Sequence, residues 1–127
     1  MSRLSVFVVE DSETIRQNLI ATLEEMAPVQ VVGYADDADS AIAELSREPP
    51  RCDLAIIDVL LRRGSGVDVL KALQARSQRP RCVVLTNYAT TLIRDHCLAL
   101  GADRVFDKSA EVERLLEYCE TLVQSRA

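Results

Sequence analysis

The chain contains no tryptophan, a single histidine and few aromatic residues, so its core cannot rest on aromatic side chains. Aromatic residues make up 4% of the sequence and hydrophobic residues 48%, which predicts a mostly aliphatic core. Positive charge is also scarce, since 15 lysines and arginines stand against 20 acidic residues and the net charge is −5. A surface for duplex nucleic acid needs clustered positive charge, so this composition argues against nucleic-acid binding by the chain.

The residue spacing that typically holds zinc is missing as well. No two of the four cysteines, Cys52, Cys82, Cys97 and Cys119, lie at CxxC spacing, and His96 is the one histidine. A zinc site is therefore not expected. We interpret the cysteines as buried free thiols in a reducing, cytoplasmic setting, and His96 as a surface or packing residue.

Long apolar runs are absent too. The run SVFVV near the N-terminus stops at Glu10 and Asp11, which makes it too short for a signal peptide. No stretch approaches the roughly 20 apolar residues of a membrane-spanning helix, so no membrane association is expected. With 127 residues the chain has the size of one domain, and we expect residues 1–127 to form it.

What the sequence does contain is a short apolar segment followed by a helical pattern, five times over. This alternation predicts an α/β fold whose parallel sheet is covered by helices on both faces. Five such units suggest the flavodoxin-like, doubly wound (βα)5 arrangement with strand order 2-1-3-4-5. The five predicted strands are Ser5–Val9, Val29–Tyr34, Leu54–Ile57, Val83–Leu85 and Arg104–Phe106.

Helix signals lie between these strands. Ser12 is a good N-cap for a first helix, whose apolar stripe is predicted to contain Ile15, Leu19, Leu23 and Met26. The last helix has the most regular apolar periodicity in the chain. No internal repeat, low-complexity linker or second domain interrupts the order.

Polar residues follow the apolar strands at four places. Glu10 and Asp11 follow the first strand, Asp58 the third, Thr86 the fourth and Lys108 the fifth. Because the carboxyl ends of parallel strands meet at one edge, we expect these residues to share a crevice near the switch point between strands one and three. Three acids, a hydroxyl and an ammonium group in one crevice predict a site for a divalent metal and a phosphoryl group.

The acids would repel one another without a cation, and Mg²⁺ suits them because it binds one or two carboxylates together with water and phosphate oxygens. We expect Asp11 and Asp58 to bind Mg²⁺ directly, Glu10 to bind it through water, and the backbone carbonyl of Leu60 to add an oxygen. A free carboxylate oxygen can then attack phosphorus and form an acyl phosphate, while Lys108 neutralises the phosphoryl oxygens and a hydroxyl donates to them. Taken singly, each residue also has an ordinary explanation as a solvated or capping group.

The motifs VVEDS, IIDVLLRRGSG, VLTN and GADRVFDKS together resemble the receiver domain of bacterial two-component response regulators. Their spacing agrees, with 47 residues from Asp11 to Asp58, 28 from Asp58 to Thr86 and 22 from Thr86 to Lys108. The resemblance implies that Asp58 accepts a phosphoryl group from a sensor histidine kinase or a histidine phosphotransfer protein, with Mg²⁺ required. It also implies that Thr86 moves towards this group, so that the face made by helix 4, strand 5 and helix 5 changes and controls a downstream protein target.

Three positions depart from the family pattern. Arg62 stands where many receivers have proline, four residues after Asp58, and we interpret it as solvated loop charge. Ser109 replaces the proline that follows the lysine, so we expect a trans peptide bond, or a cis bond held by strong local contacts, and an N-cap role for Ser109. Val105 replaces an aromatic residue, so the output signal must travel through loop and helix movement or through Tyr88.

Tyr88, two residues past Thr86, is the unusual candidate among these positions. Our hypothesis is that Tyr88 and Leu60 lie beside the phosphoryl group and restrict the hydrolytic water, which would give a long-lived phospho-form. The alternative is a tyrosine ring that lies on the outer surface of its loop.

The favoured interpretation is a phosphoacceptor that catalyses only its own phosphorylation and dephosphorylation, as a monomer or a phosphorylation-dependent homodimer. A receiver cut from a longer DNA-binding or enzymatic regulator would look identical. An aspartate-nucleophile phosphatase is disfavoured because a second Asp is expected where Leu60 stands. An FMN-binding flavodoxin-like protein is disfavoured because Glu10 and Asp11 would repel its phosphate. A receiver that is never phosphorylated is the last alternative, although every required residue is present.

Overall fold

Five strands and five helices alternate along the chain in the computed structural model, which describes residues 3–126. The elements are β1 Leu4–Val9, α1 Glu13–Met26, β2 Val29–Ala35, α2 Ala38–Leu45, β3 Leu54–Ile57, α3 Gly66–Gln74, β4 Arg81–Thr86, α4 Thr91–Ala99, β5 Arg104–Asp107 and α5 Val112–Gln124. Each predicted strand is present; β3 has the predicted bounds, and the other four strands extend beyond theirs by one to three residues.

The strands form one parallel sheet in the order β2-β1-β3-β4-β5, which confirms the predicted topology. All four residues of β3 are buried because it lies at the centre of the sheet and is covered on both faces. The order reverses between β1 and β3, and this is the point at which doubly wound sheets leave a crevice outside their carboxyl ends.

Side chains of the sheet feed two separate cores, one on each face. Val6 and Val8 of β1 pack towards α1 and α5, whereas Phe7 and Val9 pack towards α2, α3 and α4. This alternation follows from the period-two arrangement of side chains along a strand. In β5 it places Val105 in one core and Phe106 in the other, as expected for a regular strand.

The first helix begins where predicted, but half of its predicted apolar stripe is wrong: Leu19 and Leu23 pack in the core, whereas Ile15 and Met26 are exposed. Ser12 caps α1 by accepting a hydrogen bond from the Ile15 amide at 3.3 Å. Leu23 is fully buried, yet the Ile15 and Met26 side chains are 42% and 65% exposed. The buried residues of α1 are Arg16 and Leu23, which are seven residues, or about two turns, apart.

The predicted N-cap role of Ser109 is also wrong. α5 begins at Val112, and Glu111 occupies its N-cap position without a capping hydrogen bond from its side chain. Ser109 instead donates through both its amide and its hydroxyl to the Asp107 carboxylate, each at 2.8 Å. An aspartate that binds amides two residues ahead forms a tight turn, and this turn takes Ser109 away from the helix.

Within residues 3–126 the structure also describes the Lys108–Ser109 bond, the cysteines and His96. The Lys108–Ser109 peptide bond is trans. The one cis peptide bond among residues 3–126 joins Glu48 and Pro49. The four cysteines are free thiols, as predicted, but Cys52 is half-buried, whereas Cys82, Cys97 and Cys119 are buried. Burial raises the pKa of Cys82 and of Cys119 to about 12. His96 lies on the exposed surface of α4. None of the helices in this range combines the length and the apolar character that crossing a membrane requires.

Candidate functional site

Four of the predicted site residues lie at the carboxyl edge of the sheet: Glu10, Asp58, Thr86 and Lys108. Backbone hydrogen bonds that continue the strand ladder hold them there. The amide of Asp58 donates to the carbonyl of Val9 at 3.0 Å. The amide of Lys108 donates to the carbonyl of Thr86, also at 3.0 Å. The strand ladder therefore fixes where each functional side chain starts.

Lys108 joins the two buried acids of this edge. Its ammonium group donates to Oε1 of Glu10 and to Oδ2 of Asp58, the second at 2.7 Å. Glu10 and Asp58 are 2% and 7% exposed. Burial by itself would lower the pKa of Lys108, but the hydrogen bonds that its ammonium group donates to Asp58 and Glu10, together with the negative charges of these acids, outweigh it and raise that pKa. The lysine is therefore a fixed positive charge beside Asp58.

The backbone of Asp58 is held from behind by the start of α3. A Cβ atom on Gly66 would lie 2.2 Å from the Asp58 carbonyl oxygen, so only glycine permits this approach. The Gly66 amide also donates to the Val59 carbonyl at 2.9 Å. On the other side, Oδ1 of Asp58 receives one long contact, from the Leu60 amide at 3.4 Å. This oxygen is the less engaged of the two carboxylate oxygens.

Thr86 is fully buried at the end of β4. Its Oγ1 accepts a hydrogen bond from the Tyr88 amide at 3.2 Å, and within residues 3–126 its hydroxyl proton has no protein acceptor. A phosphoryl oxygen on Asp58 would offer such an acceptor. The side chains of Tyr88 and Leu60 are 55% and 53% exposed on the neighbouring loops, and Val105 is buried in the core.

Asp11 stands apart from the network that Lys108 forms. It lines an adjacent polar groove together with Arg16, Asp36 and Arg62. Across residues 3–126 no three His, Cys, Asp or Glu side chains are gathered as a ready metal-ligand group. The structure thus brings Glu10 and Asp58 together through Lys108, and Asp11 lies beside them without joining them.

This donor set fits Mg²⁺ better than a metal that needs a cage of protein ligands. Glu10, Asp11 and Asp58 carry three negative charges when ionised against the one positive charge of Lys108, a net charge of −2. Mg²⁺ retains several waters and takes one or two carboxylates, so it does not need three side chains in place. The residues that would hold it remain the predicted ones, Asp11, Asp58, the Leu60 carbonyl and, through water, Glu10.

Two arginines near the site were not identified from the sequence. Arg16 is 8% exposed, donates to the Glu10 carbonyl at 3.0 Å and stacks on the ring of Tyr34 at 4.0 Å. Arg94 binds the Ala89 and Val105 carbonyls and the Glu111 carboxylate. The sequence gives one weak signal for Arg16, which lies seven residues before buried Leu23 and therefore on the same helix face.

Comparison with known proteins shows the family to which the chain belongs. The family model of the response regulator receiver domain matches residues 6–120. The chain belongs to this family. Receiver domains are phosphoacceptors of two-component signalling that interact with histidine kinases or phosphotransfer proteins and with downstream effectors, and they generally use Mg²⁺. The match favours this interpretation over the phosphatase and the FMN binder.

Individual relatives of this receiver domain carry further regions. The chain is 33% identical over 87 residues to the DNA-binding transcriptional activator DevR/DosR of Mycobacterium tuberculosis, covering 68% of this chain and 39% of that protein. It is 30% identical over 112 residues to the acid tolerance regulatory protein ActR of Rhizobium meliloti, covering 88% and 56%. Among eight such relatives the chain spans between 24% and 56% of the full length.

Solved structures share the fold at lower sequence identity. A two-component response regulator of the LuxR family from Aurantimonas sp. SI85-9A1 has a TM-score of 0.85 and 20% identity, covering 98% of this chain and 87% of that one. The response regulator domain of Thermotoga maritima CheB has a TM-score of 0.81 and 22% identity, covering 94% and 95%. At these identities the likeness supports the fold alone.

Proposed function

We propose that Asp58 is the phosphoacceptor of this receiver domain and that Lys108 and Thr86 hold the transferred phosphoryl group. The observation that carries the proposal is the buried contact between the Lys108 ammonium group and Asp58 at 2.7 Å. Burying an aspartate costs free energy unless a partner compensates it, and here the compensating charge stands where phosphoryl oxygens would need it.

The chemistry follows from the two oxygens of Asp58. Oδ2 is bound by Lys108, so Oδ1 is the oxygen that attacks phosphorus. A bond forms between Oδ1 and phosphorus as the bond from phosphorus to the donor histidine nitrogen breaks, and that nitrogen keeps the electron pair. Lys108 neutralises the phosphoryl oxygens, and the Thr86 hydroxyl donates a hydrogen bond to one of them. Mg²⁺ held by Asp11, Asp58 and the Leu60 carbonyl would supply further positive charge.

The proposed partners are those of the family. The phosphodonor is a sensor histidine kinase or a histidine phosphotransfer protein, and the target is a downstream protein that binds the surface formed by α4, β5 and α5. The domain catalyses only its own phosphorylation and dephosphorylation, acts in the cytoplasm, and is a monomer or a phosphorylation-dependent homodimer. The DNA-binding and enzymatic activities in the names of its relatives belong to those longer proteins.

The proposal is tested by incubating the protein with Mg²⁺ and acetyl phosphate and weighing it intact. We expect a gain of one phosphoryl group in the wild type and none in Asp58→Asn. The matched control is Asp39→Asn, which alters an exposed acid in the first turn of α2 and should label like the wild type. Equal labelling of Asp58→Asn, or no labelling of the wild type while a known receiver is labelled, would refute the assignment.

A further inference from the structure

Arg94, on α4, binds three separate parts of the molecule with one side chain. Nε donates to the Ala89 carbonyl and Nη1 to the Val105 carbonyl, each at 2.9 Å. Nη2 donates to Oε1 of Glu111 at 2.6 Å. The guanidinium group therefore ties together the loop after β4, strand β5 and the start of α5.

These contacts continue to the phosphoryl site on both sides. Ala89 lies three residues after Thr86, in the loop whose Tyr88 amide donates to Thr86 Oγ1. Oε1 of Glu111 also accepts from the Asp107 amide at 2.9 Å, and Asp107 precedes Lys108. The Lys108 amide closes the path by donating to the Thr86 carbonyl. We name this path the Arg94 ring; it runs through Thr86, Ala89, Arg94, Glu111, Asp107 and Lys108.

The Arg94 ring passes Val105, the position at which the family pattern has an aromatic residue and this chain does not. Val105 is 7% exposed and its apolar side chain packs in the core, so it makes no hydrogen bond that could report a change. Its backbone carbonyl, however, is held by Arg94. The link across β5 therefore runs through the backbone and one guanidinium group.

The ring also reaches the outer surface of α5. The second carboxylate oxygen of Glu111, Oε2, lies 3.6 Å from Nη1 of Arg114, whose side chain is 74% exposed. The side chains of Arg94 and Glu111 are 34% and 18% exposed, so solvent screens this part of the ring only partly. A change at Glu111 would therefore alter the charge pattern that a partner meets.

We propose that Arg94, acting through Glu111, is the positioning residue that couples the phosphoryl site to the α4–β5–α5 surface. The inference rests on the proposed role of Asp58. A phosphoryl group there offers an acceptor to the Thr86 hydroxyl and competes for the Lys108 ammonium group, and both residues belong to the ring. Because the ring is closed by hydrogen bonds, a shift at either residue changes the contacts of Arg94 and Glu111.

The test combines two measurements on the same samples, before and after acetyl phosphate and Mg²⁺. Intact mass gives the phosphorylated fraction, and backbone amide NMR gives the response of each segment. The variants are Arg94→Met and Glu111→Ala, with Glu111→Gln as the conservative change because an amide oxygen still accepts hydrogen bonds. The matched control is Arg81→Met, which removes the Arg81–Asp103 ion pair at the opposite end of β4 and β5.

In the wild type, Arg81→Met and Glu111→Gln, phosphorylation should shift the amides of the loop 87–90 and also those of Val105 and α5. In Arg94→Met and Glu111→Ala the protein should still be phosphorylated and the loop amides should still shift, but the shifts at Val105 and α5 should be lost. Should Arg94→Met fail to fold, Glu111→Ala decides. Retained α5 shifts in both, or none in the phosphorylated wild type, overturn the inference alone. A wild type that gains no mass overturns the proposed function as well.

Discussion

The two ends of the sheet differ in how they hold their charged groups. At the carboxyl end several polar residues are buried, and within residues 3–126 all the buried polar or charged residues lie there: Glu10, Arg16, Asp58 and Thr86. At the amino end the charges form exposed ion pairs, with Arg81 and Asp103 61% and 35% exposed. Burial of charge has a large cost, and we therefore infer that the end at which it is concentrated is the functional one.

The largest effect should come from removing the cation of the buried end. In Lys108→Met the carboxylates of Glu10 and Asp58 face each other without compensation, and the free energy of unfolding should fall by about 3 kcal/mol. The matched change at the other end, Arg81→Met, should cost less than about 1 kcal/mol because exposed ion pairs contribute little. Urea unfolding in the absence of Mg²⁺ measures both. Equal losses would remove the contrast between the two ends.

Mg²⁺ should stabilise the molecule through the buried end alone. At about 100 times its dissociation constant the ion should raise the free energy of unfolding by about 2.7 kcal/mol, because it binds the folded chain. Asp11→Asn should weaken this effect, whereas Asp39→Asn should leave it unchanged. Calorimetric titration and thermal unfolding across a Mg²⁺ series provide the measurement. An unaltered response in Asp11→Asn would exclude Asp11 as a ligand.

Two arginines that lie over tyrosine rings, buried Arg16 and exposed Arg104, can be compared directly. Arg16 stacks on Tyr34 at 4.0 Å and binds the Glu10 carbonyl, whereas exposed Arg104 lies 5.4 Å from the Tyr118 ring. Arg16→Met should lower the free energy of unfolding by about 2 kcal/mol, and Arg104→Met by about 0.5 kcal/mol. Chemical unfolding of the two variants decides. A smaller loss for Arg16→Met than for Arg104→Met would contradict our assignment.

The ion pair at Glu111 predicts a small dependence on pH. The hydrogen bond that Arg94 donates to the Glu111 carboxylate, together with the one from the Asp107 amide, holds the pKa of Glu111 below its usual value of 4.5. A lowered pKa in the folded state gives stability that is complete above pH 4.5 and is lost as the pH falls through the lowered value. Carboxyl NMR titration should show this midpoint below 4.5 in the wild type. In Arg94→Met it should return upwards, and an unmoved midpoint would argue against the pair.

Tyr88 should affect the lifetime of the phospho-form and leave stability nearly unchanged, because its ring is 55% exposed. We predict faster phosphate loss in Tyr88→Ala and an unfolding free energy within about 0.5 kcal/mol of the wild type. The half-life of the phosphorylated protein, followed by intact mass after removal of acetyl phosphate, measures the first quantity. Identical half-lives would mean that the ring does not restrict the hydrolytic water.

Much of this arrangement follows from the sequence because the strands are short apolar runs with polar residues directly after them. The run LAII before Asp58 predicts a buried central strand, and the structure gives Leu54–Ile57. Five such units admit few topologies, so the strand order and the shared edge were predictable. The positions of four residues at the carboxyl edge then follow from chain connectivity alone: Glu10, Asp58, Thr86 and Lys108.

The remaining features depend on side-chain geometry that periodicity does not contain. Arginine is usually exposed, so the seven-residue spacing between Arg16 and Leu23 is too weak a signal to show that Arg16 replaces Ile15 in the buried face of α1. The three partners of Arg94 lie 5, 11 and 17 residues away, and only the tertiary structure brings them together. The predicted cap role of Ser109 was wrong because its amide and hydroxyl bind the Asp107 carboxylate in a turn that precedes α5.

The closed Arg94 ring also has a thermodynamic consequence. Coupling free energy between two binding events is reciprocal, so a partner that binds the α4–β5–α5 surface more tightly after phosphorylation must favour the phosphorylated state by the same factor. If the proposed coupling holds, the target of this domain would therefore also be one of its effectors. The steady level of phosphoryl-Asp58 in a cell would depend on how much target is present, as well as on the activity of the kinase.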